Sequence, residues 1–331
     1  MEKLRQDIKG KTFESVYLLF GEETYLVRSY KEQLKQAISG EDTMNFSYFE
    51  GKGVSLEAVS DLAMTMPFFA ERRLILLDGT GLFKGTVQDG WIDLVKLLPE
   101  TCHLVFVESE VDKRNRLYKA VGSCGYCGEL QRQSDRDLKR WIVSGLSRQN
   151  LGITSDALEL FLQKTGDDME NIRMEMEKLA SYCMGCEGVT SADVEAICTE
   201  RITNRIFEMT QAVSEGNQTK ALELYYDLLA LKEPGMRILF LIARQMNQLL
   251  CVKEMMAGGG TKDSIASNMK LRPFIAGKLM TQARRFSVKQ LRSCVELCVS
   301  LEEAVKSGNM NDQIAVEMVL MSISSGRAME Q

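Results

Sequence analysis

VYLLFGEETYLV (residues 16–27) is the stretch on which the fold turns. Its first half is a short, wholly apolar run, the pattern of a strand buried on both faces. Gly21 ends the run, and a helical pattern follows from Glu22 to Ile38. Outward from this unit the alternation repeats. NFSYFEG (45–51) is strand-like, and RLILLDG (73–79) and HLVFVES (103–109) are two more apolar strands. Ser55 caps a helix whose Leu56, Val59, Leu62, Ala63 and Met66 share one face. Trp91–Leu98 and Arg114–Val121 read as further helices. Alternation with fully apolar strands predicts an α/β domain over residues 1–139, built on a parallel sheet covered on both sides.

Beyond residue 139 the strand pattern stops. Residues 140–205 read as helical only, with DDMENIRMEMEKLASY (167–182) placing Met169, Ile172, Met176 and Leu179 on one stripe. This predicts a small helical domain. Residues 206–331 contain longer helices at 206–215, 219–231, 236–257, 288–306 and 312–323, with Pro234 and the glycines at 258–260 as turns. Short connections predict an antiparallel all-α bundle. No repeat of fixed period is found.

The chain has 331 residues, 45% hydrophobic and 26% charged, a globular composition of two or three domains. No apolar run approaches the ~18 residues of a membrane span. The N-terminal stretch lacks the apolar core of a secretion signal, and nine cysteines without one point to reduced thiols. A cytoplasmic location is expected. The formal charge of −5 hides an asymmetry: from Ile206 onward the net charge is +2. No acidic residue lies between Asp263 and Glu296, a stretch that carries Lys270, Arg272, Lys278, Arg284, Arg285, Lys289 and Arg292. Such a stretch suits a polyanion or an acidic partner. The plainer alternative is a solvated face balanced by acids from elsewhere.

An α/β domain followed by helices suggests a nucleotide-binding ATPase, so the phosphate loop is the first motif to seek. It requires GxxxxGK[ST] after the first strand. Here Gly21 is followed by Glu22-Glu23-Thr24-Tyr25-Leu26-Val27-Arg28, with no second glycine and no lysine–hydroxyl pair. Two carboxylates would repel phosphate. Asp78 stands where a magnesium ligand could, but alone it reads as a turn residue. GTGLFKGT (79–86) fits neither the phosphate loop nor the dinucleotide fingerprint and reads as a loop. The single histidine, His103, has no motif to supply a catalytic partner and reads as a residue at a strand edge. Cys124–Cys127 and Cys183–Cys186 form two CxxC pairs, but the gap between them exceeds the usual zinc-ribbon spacing of roughly 15–20 residues, and no metal site is expected. Cys251, Cys294 and Cys298 read as core residues of helices.

One feature is unexplained by a core. TMPFFAERR (65–73) places Pro67, Phe68 and Phe69 in a connector. Met64 lies about 140° from the centre of the preceding helix's apolar face. Pro67 disfavours helix at Met66. On an extended backbone Phe68 and Phe69 would point to opposite sides, so both could not enter one core. Either one plugs the core and the other covers a gap, or Met64, Pro67, Phe68 and Phe69 form a projecting anchor for a partner's pocket.

In order along the chain, YLLFGEETYLV, MPFFAERRLILLDG, HLVFVESEVDKRNRLYKAV, DMENIRMEMEKLASYC, MRILFLIARQMNQLL and ARRFSVKQLRSCVELC resemble the delta subunit of the bacterial DNA polymerase III clamp loader. The resemblance covers essentially the whole chain. It implies a degenerate AAA+-like α/β domain without a nucleotide site (1–139), a small helical lid (140–205) and a helical collar (206–331). It implies no cofactor and no catalysis by this chain. It implies binding and opening of the sliding clamp, with Met64, Met66, Pro67, Phe68 and Phe69 as the clamp-binding element. The implied further partners are the ATPase subunits and delta prime, met through the collar, and primed DNA in the assembled complex; no membrane is involved. The basic stretch from Lys270 to Arg292 would face DNA or neighbouring subunits. Two rival readings are an active ATPase of the same architecture, which the missing GKT opposes, and a stand-alone DNA-binding regulator, which would bind DNA without any clamp.

Overall fold

A computed structural model describes residues 2–198, 202–269, 271 and 273–324. The chain divides into two compact units. The first runs to Thr154 and includes Asp167–Val189; the second comprises Ser155–Gly166 and the chain from Thr190 onward.

The first unit opens with α1 (Glu2–Gly10), β1 (Val16–Phe20), α2 (Thr24–Ile38), β2 (Phe46–Glu50), α3 (Leu56–Met64), β3 (Arg73–Asp78), α4 (Asp89–Lys96), β4 (Cys102–Glu108), α5 (Arg116–Cys124) and β5 (Tyr126–Glu129). All five strands are parallel, in the order β2-β3-β4-β1-β5. The three apolar runs are the three inner strands, where both faces must be covered. Val16, Leu18, Phe20, Ile75, Leu77, Leu104 and Phe106 meet α3, α4 and α5 in one core. The alternate residues Tyr17, Leu19, Leu74, Leu76 and Val105 are buried on the other face, where Tyr17 Oη donates to Asp7 of α1 at 2.9 Å. Phe106 stacks edge-on against Phe83 at 5.2 Å and Trp91 at 6.5 Å. Cutting such a side chain to alanine costs about 3–5 kcal/mol. Neither α1 nor β5 stands out in the sequence; β5 is only YCGE, completed by pairing to β1.

Six elements follow in mixed order: α6 (Asp135–Ser147), β6 (Gly152–Ile153), α7 (Ser155–Thr165), α8 (Met169–Tyr182), β7 (Gly188–Val189) and α9 (Ser191–Ile197). The expectation of helices alone is corrected here, because β6 and β7 pair in parallel. Two-residue strands leave no periodicity to read. Helices α6 and α8 belong to the first unit, α7 and α9 to the second.

The second unit continues as α10 (Ile202–Ser214), α11 (Gln218–Ala230), α12 (Gly235–Ala257), α13 (Lys262–Asn268), α14 (Pro273–Ala283), α15 (Val288–Lys306) and α16 (Asp312–Ser324). Ile238, Ile242, Met246 and Leu249 of α12 share a core with Leu291, Cys294, Cys298 and Leu301 of α15. Asp312 accepts from the Met236 amide at 3.2 Å and satisfies the start of α12. Helices α13 and α14 fall where the sequence shows only turns and basic residues; Thr261 caps the first by accepting from Ser264 N. Cys251 is exposed, not in the core, because it sits on the outer side of α12, whereas Cys294 and Cys298 are buried. Among the described residues no helix is long and apolar enough to cross a membrane.

His103 lies second in β4 and is buried, not at an exposed edge. Its Nδ1 lies 2.8 Å from the Glu14 carbonyl, which accepts its proton in the neutral ring. Burial holds its pKa below the usual imidazole value, with nearby Arg72 acting in the same direction against the Glu14 bond. The unfolded chain therefore takes up this proton at higher pH than the fold does, so stability falls as pH drops below about 6.5. Half-buried Glu23 and buried Glu108 have raised pKa values and act in the opposite sense. Both tryptophans, Trp91 and Trp141, lie in the first unit. Urea unfolding followed by tryptophan fluorescence at pH 7 and pH 5 should show a smaller acid-induced loss in His103→Gln than in wild type; an equal loss would assign the slope elsewhere.

Candidate functional site

The connector between α3 and β3 is built from both ends. Ser55 caps α3 by accepting from Ala58 N at 3.3 Å. At the other end the helix stops at Met64, and Thr65 is already extended. The expected helix to Met66 is therefore two residues too long. Pro67 drives Met66 out of helical geometry, and the break propagates back to Thr65. Met66 is consequently not on the core face with Val59 and Ala63; it is 78% exposed.

The four apolar side chains that follow the core face point outward. Met64 is 48% exposed, Phe68 57% and Phe69 95%. Pro67 is half-buried. Neither phenylalanine plugs the core. The expectation of an extended backbone with the two rings on opposite sides is corrected. Phe69 adopts a left-handed conformation, φ 50°, and the rings meet edge-to-face with centroids 4.6 Å apart. A left-handed non-glycine residue costs roughly 1–2 kcal/mol, so the fold tolerates strain to bring two aromatic rings together in solvent.

Three side chains secure this loop. Asn45, fully buried just before β2, accepts from Phe68 N at 2.7 Å and donates to Phe68 O at 2.9 Å. Arg73, buried at the start of β3, donates to Met66 O at 3.3 Å. Arg72 donates to Lys11 O at 3.3 Å and lies over the Phe13 ring at 5.0 Å. The two arginines that end TMPFFAERR thus hold the loop to β3 and to the α1–β1 connector. Sequence reading passed over Asn45 and gave the arginines no role. An asparagine facing a segment 23 residues away leaves no local pattern; only its place beside a strand start hints at a turn.

The position of a phosphate loop, after β1, is filled by protein. Gly21 has φ 137°, and a Cβ there would stand 2.2 Å from Leu130 O. That same carbonyl accepts from Glu23 N at 3.0 Å, so an amide that would face phosphate is already bonded. Asp78, at the end of β3, is paired with Lys31 Nζ at 3.2 Å. Glu108, at the end of β4, accepts from Thr80 Oγ1 at 2.5 Å and from the Gly81 amide. GTGLFKGT is a loop, with Phe83 in the core.

The CxxC cysteines do not converge with other ligands: among the described residues no group of three or more His, Cys, Asp or Glu is placed to hold a metal ion. Burial pushes the Cys127 thiol up to about 11. In the basic stretch, Lys270 and Arg272 lie outside the described residues. Lys278, Arg284, Arg285, Lys289 and Arg292 are exposed on α14, α15 and their link. Arg285 pairs with Glu215 at 2.9 Å and Arg292 with Glu254 at 3.3 Å. The acids that balance these two come from just past the end of α10 and from α12.

Comparison with known proteins follows the same division. Residues 17–123 match the family model described as DNA polymerase III, delta subunit, and residues 203–323 match the model for the C-terminal domain of the same DNA polymerase III protein, delta. The chain is 26% identical over 330 residues to DNA polymerase III subunit delta of Bacillus subtilis (strain 168), covering 96% of this chain and 95% of the relative. It is 22% identical over 254 residues to a probable DNA polymerase III subunit delta of Aquifex aeolicus (strain VF5), covering 73% and 71%. The solved Bacillus subtilis DNA clamp loader delta protein has the same fold, with a TM-score of 0.79 at 24% identity over 98% of this chain and 99% of that one. Two family models in the family's order, and a relative aligned end to end, lead to one conclusion: the chain belongs to the DNA polymerase III delta subunit family.

Proposed function

We propose that this chain binds the ring-shaped sliding clamp and opens one of its interfaces during loading onto primed DNA, without hydrolysing ATP itself. The observation that carries this reading is the connector after α3. Met64, Met66, Phe68 and Phe69 project from one short segment and are largely exposed. Isolated exposed apolar residues are ordinary, but a clustered aromatic pair on a fixed backbone has the character of a hot spot. The filled phosphate-loop position supports the absence of hydrolysis.

Opening demands more than binding. A ligand shifts a ring toward its open form only by binding that form more tightly. The phenylalanines alone would grip both forms. In this proposal the exposed side of α3, with Glu57 and Asp61, presses on the clamp and fits the distorted interface better. ATP control then belongs to the ATPase subunits of the loader.

The division into residues 1–139, 140–205 and 206–331 as AAA+-like domain, lid and collar is part of the proposal. The collar would hold the chain beside the ATPase subunits and delta prime. Helix α16 suits that role because it has two apolar sides: Ala315, Val316, Val319 and Leu320 are buried, while Ile314, Met318 and Met321 are exposed at helical spacing. Arg284 and Lys289 are the exposed cations that primed DNA would meet.

Phe68→Ala/Phe69→Ala should stay folded, with stability within about 0.5 kcal/mol of wild type, since it changes only exposed side chains. Its affinity for the purified clamp should fall about a hundredfold or more by surface plasmon resonance; equal affinity would remove the anchor. Phe69→Gly should bind the clamp more weakly while being as stable as wild type or up to about 1 kcal/mol more stable, because relief of the left-handed strain is offset in part by glycine's entropy. Glu57→Ala/Asp61→Ala should bind the clamp normally and open a smaller fraction of rings, read by fluorescence across the clamp interface; normal opening would rule out a role for α3.

A further inference from the structure

We infer that Asn45 is a positioning residue for partner recognition: its side chain locks the Phe68 peptide so that the aromatic pair is displayed in its binding geometry before any partner arrives. The inference rests on the proposed clamp-binding role of Phe68 and Phe69. Its basis is the geometry around Asn45. The side chain meets both polar groups of one peptide residue, as a neighbouring strand would. Its own backbone is tied to the sheet, with Asn45 O accepting from Leu74 N at 2.9 Å.

Asp42 settles which way the amide faces. Asp42 Oδ2 accepts from Asn45 Nδ2 at 2.7 Å, and Asp42 Oδ1 accepts from Met44 N at 2.8 Å and Asn45 N at 3.2 Å. Nδ2 therefore faces two acceptors, Phe68 O and Asp42 Oδ2, and Oδ1 faces the one donor, Phe68 N. No flipped amide satisfies that set. The bond to Asn45 also holds the Asp42 carboxyl below its usual range.

The consequence is a contrast between backbone and side chain. Phe68 is 57% exposed, yet both its backbone polar groups are bonded to a fully buried side chain. Arg73 fixes Met66 O in the same manner. The loop is ordered through its peptide groups, which leaves its rings unencumbered. Preorganisation of this kind raises affinity by removing the ordering cost from the binding step.

The test uses the full chain and its clamp. Asn45→Ala removes both bonds to Phe68. Asp42→Ala, at a half-exposed site, removes only the group that orients Asn45 and guards against a folding defect in the first variant. Hydrogen exchange at the Phe68 amide reads the lock without any clamp; clamp affinity reads its use. Exchange at Phe68 should accelerate at least about tenfold in Asn45→Ala and less in Asp42→Ala, while amides of β1 and β4 keep their protection. Clamp affinity should fall about tenfold in Asn45→Ala, with a smaller fall in Asp42→Ala. Unchanged exchange at Phe68, or unchanged affinity once exchange has accelerated, overturns the inference. The Phe68→Ala/Phe69→Ala variant separates the two readings. If it loses the clamp while Asn45→Ala binds normally, only the positioning role fails. If it binds like wild type, the anchor fails and the role of Asn45 in recognition fails with it.

Discussion

Strand β1 is the constraint on which the first unit depends. It has a parallel neighbour on each side, and four of its five residues are fully buried. A strand so placed can satisfy its backbone only through both neighbours. The short YCGE segment must therefore pair with it, and the chain must cross back over each face. The pairing runs on past β1: Leu130 N donates to Phe20 O, and Leu130 O receives the Glu23 amide. This closing contact occupies the segment after β1, the position at which a phosphate-loop motif would stand in sequence. The backbone after β1 is thus bonded within the protein, in a segment that also lacks the lysine of a phosphate loop.

The two ends of the sheet differ for a geometric reason. Nucleotide sites in parallel sheets lie outside the carboxyl ends of strands. Gly21, Asp78 and Glu108 mark that end here. The anchor loop enters β3 at Arg73, the amino end. Internal bonding at one end of the sheet, such as the Lys31–Asp78 pair, thus lies at the opposite end from the loop that carries the exposed Phe68 and Phe69.

What could be read from the sequence was set by length and locality. The inner strands are apolar runs of five to seven residues, and fully buried strands announce themselves in composition. The Ser55 cap and the break at Pro67 are local stereochemistry and were legible too. The failures share a cause. Strands of two residues carry no period, so β6 and β7 were invisible. The stacking of Phe68 on Phe69 depends on one left-handed residue that steric preference alone would not assign to phenylalanine. Asn45 and Arg73 act on a loop through side chain-to-backbone bonds, which depend on where the loop comes to lie and not on its residue types. Cys251 lies on an apolar helix, and only the packing of α12 against its neighbours decides which of its sides is wet.

The exposed thioethers near the anchor have a chemical consequence. Methionine oxidises to a sulfoxide when reagents reach its sulfur, and the product is polar. Met66 and Met64 are open to solvent, as is Met44 beside Asn45, whereas Met209 and Met246 are sealed in the helical core. Oxidants will therefore reach the sulfurs around the Phe68–Phe69 loop before they reach those of the helical core. A mildly oxidised chain would keep its helices and its sheet but present a wetter face around this loop, so intact folding is no measure of an intact surface in this protein.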